Sequence, residues 1–551
     1  MNKIPVVLNE DIIRSKFQAV GLEIIEVEVK SYPDELNFVT YVAPEDFSRA
    51  VELSTQIEPD IQGDDSKSTF IVVRKAAGKL QDSGKSKIIG VRDERVDQLI
   101  RLVSARSRVS SIEPSLVYLP DARASLSIVT ANRHHLIFGR RGAGKTALLM
   151  EARRQVEQEG SLVSWSNLQT LRHETPHRIF LFILEDLFST VISGRQSVSP
   201  KSSLSLALNE VYEQLRQLTN RDDTSSEEAM RIIPRAQRAL AQYLPVEGAR
   251  VFAFIDDFYY VPRDSQPQVL DMIHAVTRDT DVWLKIASIR HLTNWWQASP
   301  PLGLQSGQDA DLVDLDVTLQ DPEKASKFLE GILAEYGRRV GIPSLTRVLN
   351  RTALDRLVLA SGAVPRDYMV LAVNALSRAR RRPSARLAGV QDVNQAAGDA
   401  ASLKIQELEE DMAANSGVAE NTLQSLATIR KFCLVEESFT YFLVGYRDKE
   451  QYPKLYSLLT DLMDVRLIHL VDSGVSDSHQ AGTRFEAFML DLSQFSGSRL
   501  KQKITVLDFA DGRFVSKQTR SGGPVRRGGT ALELIALLRR APEFELLKLQ
   551  R

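Results

Sequence analysis

The chain has 551 residues, a formal net charge of −1, 43% hydrophobic and 26% charged residues, and one cysteine, Cys433. That length predicts several domains of ordinary globular composition, and one cysteine excludes an internal disulfide and fits a reducing compartment. The opening Met1–Glu10 lacks a secretion signal, and no apolar run approaches the roughly 20 residues needed to span a bilayer, so a cytoplasmic protein with no membrane contact is expected.

Residues 1–76 read as a small α/β module. Asp11–Val20 and Ala43–Gln56 are expected as helices, and Leu22–Val29, Phe38–Val42 and Phe70–Arg74 as strands. No catalytic constellation lies there, and a docking or scaffolding role fits better than a sensing one. Residues 77–113 form a linker, with a Gly/Lys/Ser-rich stretch over 77–87 and a helix around Arg92–Ser107. A core is expected over 114–320, entered through a helix near Asp121–Val129.

The apolar Leu136-Ile137-Phe138 leads into Gly139-Arg140-Arg141-Gly142-Ala143-Gly144-Lys145-Thr146, and a helical stretch leads out. This fits G-x-x-x-x-G-K-[ST], the Walker A or P-loop pattern. A strand delivers such a loop and a helix opens from it, so that backbone N–H groups and the positive helix end converge on phosphates. Gly142 and Gly144 allow close backbone approach. Lys145 is expected to reach the β- and γ-phosphates of ATP, and the Thr146 hydroxyl to hold Mg²⁺. The alternative is a glycine turn before an ordinary helix.

Ser161–Ser166 then reads as a strand and Pro176–Val191 as an amphipathic helix, followed by helices over 206–218 and 226–243. Val251-Phe252-Ala253-Phe254-Ile255-Asp256-Asp257 is an apolar strand ending in two carboxylates, the Walker B pattern. Asp256 is the expected Mg²⁺ ligand and Asp257 the residue that polarises the attacking water. A helix at Gln266–Arg278 precedes another buried strand, Val282–Arg290. A polar residue at its tip, Ser288 or Arg290, can touch the γ-phosphate or the water, or simply end the strand. Trp295-Trp296 reads as packing, and Asp311–Thr318 as a last strand.

From Asp321 the chain turns helical, giving a lid over 321–415 with helices at Pro322–Arg339, Thr352–Ala360, Arg366–Arg381 and Gln391–Leu408. The turn Gly362-Ala363-Val364-Pro365-Arg366 puts Arg366 at a helix start, where the macrodipole disfavours a cation. It either meets a partner charge, such as the γ-phosphate, or is solvated. The basic run from Arg378 to Arg386 suits a helix C-terminus.

Residues 416–498 carry expected helices at Asn421–Glu436 and Gln451–Met463, then a hairpin of Leu467–Val471 and Phe485–Leu492. The tail, 499–551, sets Arg499, Lys501, Lys503, Arg513, Lys517, Arg520, Arg526 and Arg527 against Asp508 and Asp511. With its paired glycines it reads as an arm flexible enough to follow a phosphate backbone, or as a solvated one. An amphipathic helix over 530–540 follows, expected to dock on the preceding domain.

With these elements in place, residues 114–500 resemble AAA+ ATPases of the origin-recognition type and the related STAND signalling ATPases. The resemblance implies an α/β P-loop core, a helical lid and a winged-helix domain over 416–498, besides the small N-terminal α/β module. It makes Gly139–Thr146 Walker A, Asp256-Asp257 Walker B, Ser288 to Arg290 the sensor-1 region and Arg366 a sensor-2 candidate in a turn one residue longer than usual. The 111 residues from Lys145 to Asp256 exceed a simple core, so a helical insertion is expected near 192–245. Asp257 stands where glutamate is commoner and is one methylene shorter, which implies slow hydrolysis. Arg263, Arg278 and Arg290 are the arginine-finger candidates. The resemblance also implies homo-oligomers and engagement of duplex DNA or a partner protein, controlled by nucleotide state. Alternatives are a STAND-like switch, for example in antiviral defence, that activates a separate effector, or an ATP-bound scaffold. The helix at Gln451–Asp464 carries Lys454 against Asp461 and Asp464, poor chemistry for phosphates, so protein and DNA contact stand level there.

Overall fold

The computed structural model describes residues 4–20, 22–31, 35–42, 46–61, 68–75, 90–106, 119, 125–194, 197–412, 416–476, 482–495, 504–510, 513–518, 526–527 and 531–550. The chain divides into two compact units, Met1–Lys87 and Ile88–Arg551. The 77–87 stretch lies outside the described residues.

In the first unit, strands β1 (Ile24–Ser31), β2 (Glu35–Val42) and β3 (Ser68–Lys75) form one sheet in that order. β1 pairs antiparallel and β3 parallel with β2. Helices Ile4–Ala19 and Phe47–Ile57 accompany it, and Phe17, Phe38, Ile57 and Ile71 share its core.

The second unit is built on five parallel strands: β4 (His135–Phe138), β5 (Leu162–Asn167), β6 (Val251–Asp256), β7 (Val282–Ser288) and β10 (Asp311–Asp314), in the order β10-β4-β7-β6-β5. A small hairpin, β8 (Trp296–Ala298) and β9 (Pro301–Gly303), lies between β7 and β10 in sequence. All six residues of β6 are buried, as expected of a parallel strand covered on both faces. Phe252 and Phe254 pack with Leu148, Leu149, Ala152 and Val156 of helix Lys145–Gln158. Val251, Ala253 and Ile255 face a larger cluster with Phe180, Leu184 and Leu187 of helix Pro176–Ser193 and Ile273 of helix Gln266–Thr277. Helices Ser203–Thr219, Ser226–Arg231 and Ile233–Glu247 extend that cluster through Leu208, Leu215, Leu240 and Tyr243.

Helices Pro322–Arg339, Arg351–Ala360, Pro365–Arg381 and Val390–Met412 form the next body. Helix Glu94–Ala105, read from sequence as part of a linker, packs into it through Val96, Leu99 and Val103. Three arginines of the basic run pair here: Arg380 donates to Asp97 at 2.7 Å, Arg382 pairs with Asp392, and Arg378 with Asp399.

The C-terminal module runs helix Ser416–Lys431, β11 (Tyr441–Gly445), helices Tyr446–Gln451 and Pro453–Asp464, β12 (Ile468–Ser476) and β13 (Arg484–Leu490). The strands pair antiparallel in the order β11-β13-β12. β11 escaped the sequence reading because a short apolar run alone does not mark a strand, and its pairing partner, β13, is remote in sequence. The tail is not a free arm where it is described. β14 (Thr505–Ala510), β15 (Arg513–Gln518) and β16 (Arg526–Arg527) form an antiparallel sheet. Leu507, Phe509 and Phe514 are buried with the lid helices, and Arg356 meets Asp508 at 2.9 Å in the interior. Arg499, Lys501, Lys503 and Arg520 lie outside the described residues. Helix Ala531–Leu538 follows, and Phe544 and Leu546 complete the module's core. No helix among the described residues is long and apolar enough to cross a membrane.

Candidate nucleotide site

The buried strand β4 ends at Phe138, and the chain then turns through Gly139–Gly144 into the helix that begins at Lys145. Gly142 (φ 79°) and Gly144 (φ 102°) are left-handed, a conformation that strains any residue with a Cβ. A Cβ on Gly142 would stand 2.8 Å from the Cβ of Arg366 and 3.1 Å from Val364. A Cβ on Gly144 would meet nothing within 4 Å, so that face of the loop is clear.

The loop's carbonyls are held from several sides. Lys145 Nζ donates to Gly139 O at 2.7 Å and to Arg140 O at 3.3 Å. Arg466 Nη1 donates to Arg141 O, and the Arg366 amide to Gly142 O, both at 3.3 Å. At the next strand, Thr146 Oγ1 donates to Asp256 Oδ2 at 2.7 Å. Strand, glycine loop, helix and carboxylate thus converge at the C-terminal edge of the sheet. The core is a P-loop fold.

Electrostatics follow from burial. Burial lowers the Lys145 pKa, opposed by Asp257, Asp256, Asp316 and Asp464. Burial also holds both Walker B carboxyls above their usual range, with the neighbouring Asp257 charge adding to the effect on Asp256. Asp257 is left-handed at φ 57°, strain of a kind that clusters at functional sites. The Arg141 guanidinium lies 5.4 Å from the centroid of the Tyr259 ring.

These residues fit a nucleotide with Mg²⁺. A threonine hydroxyl and one carboxylate are the usual protein share for Mg²⁺ when phosphates and waters supply the rest. Thr146 and Asp256 are already 2.7 Å apart. No cluster of three metal-binding side chains exists among the described residues.

The other sequence candidates divide. Arg366 is at the loop, its backbone amide bound to Gly142 O. Ser288 lies in register with Phe138, but its buried hydroxyl is 2.6 Å from Thr293 Oγ1 and closes the strand-end turn. Arg290 is exposed, 3.9 Å from Asp314 and 5.9 Å from the Phe138 ring. Neither has a described bond to residues 139–146. Of the finger candidates, Arg263 exerts its charge on Asp461, Arg278 lies 3.8 Å from Asp309, and Arg290 faces Asp314.

Three residues were missed. Asp316 accepts from the Arg140 amide at 2.8 Å and its Nε at 3.3 Å; a carboxylate just past the last strand was its only signal. Asp464 is buried near Asp316, Arg140 and Arg141; burial and the like charge of Asp316 keep its carboxyl well above the ordinary range, against the opposing pull of the two arginines. Arg466 lies more than 300 positions from the loop, and no local pattern marks it.

No family model and no curated protein matches the chain. Among solved structures it is similar to the Orc1 protein of Aeropyrum pernix in complex with DNA, at 17% identity, covering 68% of this chain and 90% of that one, with a TM-score of 0.33. Cdc6p from Pyrobaculum aerophilum gives 12%, 75%, 94% and 0.25 for the same measures. RuvB of Thermotoga maritima gives 12%, 69%, 93% and 0.28. A likeness this distant carries no functional conclusion; the residues themselves do.

Proposed function

We propose that the chain is an ATP-binding and ATP-hydrolysing switch of the AAA+ type, in which nucleotide state controls the C-terminal module. The Thr146–Asp256 hydrogen bond at the mouth of a glycine loop carries the reading. Loop N–H groups and the Lys145 ammonium bind and orient the phosphates. Lys145 leaves the carbonyls of Gly139 and Arg140 to do so. Thr146 and Asp256 would hold Mg²⁺, which when bound would neutralise charge on the phosphate oxygens. Asp257 accepts a proton from the attacking water, and Arg366 brings the lid helix to the phosphate end of the loop.

The C-terminal module is read as a winged helix from its order of helix, strand, two helices and two strands. In a DNA-binding module of that kind, the helix before the hairpin enters the major groove. Here that helix is Pro453–Asp464, and its Asp461 and Asp464 are largely buried beside Arg263, Arg140 and Arg141. With those two carboxylates turned into the chain, Lys454 is the one cation this helix can offer to phosphates, which favours a protein partner over DNA.

ATP turnover with and without duplex DNA, with Lys145→Ala as the reference, tests both levels. Turnover above the reference supports the ATPase. Its absence despite tight ATP binding points to a scaffold. Stimulation by DNA would reverse the preference for a protein partner.

A further inference from the structure

A buried charge network joins the loop, the lid and the C-terminal module. Arg466, 3% exposed, sits at φ 60° in the turn between helix Pro453–Asp464 and β12. Its Nε lies 2.9 Å from Asp367 Oδ2 at the start of the lid helix, while Nη1 donates to Arg141 O at 3.3 Å. Lys404 of helix Val390–Met412 donates to Arg466 O at 3.1 Å and lies 3.0 Å from Asp491 and 3.8 Å from Asp367. His469 closes the set at 2.7 Å from Asp491. Two cations thus balance two carboxylates, and burial keeps His469 neutral by lowering its pKa.

A guanidinium is suited to this position because its planar fork holds two acceptors in a fixed relative geometry, which an ammonium on a flexible stem does not impose. The peptide after Arg141 is planar and trans, so fixing its carbonyl toward Arg466 fixes the Gly142 N–H in the opposite direction. Phosphate binding by such a loop depends on where its N–H groups point. We propose that Arg466 is a positioning residue of the nucleotide site, holding the Arg141 peptide in its phosphate-binding orientation from the C-terminal module and joining it, through Asp367, to the helix that carries Arg366. The inference rests on the nucleotide reading above.

The test uses the full chain, ATP with Mg²⁺, and three variants: Lys145→Ala, Arg466→Lys, and Arg466→Met with Asp367→Asn. The double variant removes both buried charges together, because removing one alone unbalances the buried network of two cations and two carboxylates. Arg466→Lys and the double variant are each expected to weaken ATP binding about tenfold, with KM rising more than kcat falls. A purely architectural role would lower the melting temperature and leave ATP affinity alone. A folded double variant with unchanged ATP affinity overturns the proposal. Should the double variant fail to fold, Arg466→Lys with unchanged affinity does so. If the unsubstituted protein binds ATP no better than Lys145→Ala, the nucleotide reading itself fails, which is a separate outcome.

Discussion

Gly142→Ala and Gly144→Ala make a matched pair that tests the contact between loop and lid without any ligand. Both positions are left-handed, at φ 79° and 102°, and each alanine should cost about 1–2 kcal/mol for that conformation alone. Only at Gly142 does the new methyl collide, 2.8 Å from Arg366 Cβ and 3.1 Å from Val364 Cγ1. Overpacking of that kind adds about 1–3 kcal/mol. Gly142→Ala should therefore melt roughly 2–12 °C below Gly144→Ala, taking about 2–4 °C per kcal/mol. Thermal unfolding without nucleotide is the assay, because a bound phosphate would also oppose a methyl on Gly144. Equal melting temperatures, or a lower one for Gly144→Ala, would refute the placement of the lid helix against the loop.

Thr146→Val should abolish Mg²⁺-dependent ATP turnover while Thr146→Ser preserves most of it, since the hydroxyl bound to Asp256 is the group in question. Stability should fall on acidification. Burial lowers His134 and His135 to about 3 and Lys285 to about 6. The unfolded chain therefore takes up protons that the folded one does not, below about 6.5 for the histidines and between about 10.5 and 6 for the lysine. Urea melts should show stability rising with pH between about 7 and 9, above the raised values of about 6 for Asp256 and Asp461, and Lys285→Met should flatten that slope. Arg356→Ala should destabilise by about 3–5 kcal/mol by breaking a buried ion pair at one partner; Arg356→Met with Asp508→Asn should recover most of that in a thermal melt. Truncation before Arg499 should unfold the C-terminal module rather than merely remove charge, because Phe544 and Leu546 belong to its core; circular dichroism of the shortened chain decides.

The nucleotide loop was legible because its chemistry is local. Glycines needed for close approach, a lysine and a hydroxyl must follow one another at a helix start, so Gly139–Thr146 carries its own signature. The apolar run of β6 ending in Asp256 and Asp257 was legible for a related reason: a strand buried on both faces leaves no alternation, only a boundary. What remained hidden depends on residues that are distant in sequence and meet only when the lid and C-terminal module pack. Asp316, Asp464 and Arg466 have no local pattern, because a buried ion pair requires proximity in space and not spacing in sequence. The same reason explains the tail. Its charge count suggested an exposed arm, but Leu507, Phe509 and Phe514 find an apolar surface on the lid that the chain offers only once folded. Local sequence determined most elements of the core and lid and the pattern of the glycine loop; tertiary packing alone decided which carboxylates and which arginine stand around it, since desolvated charges are stable only where the fold supplies their partners.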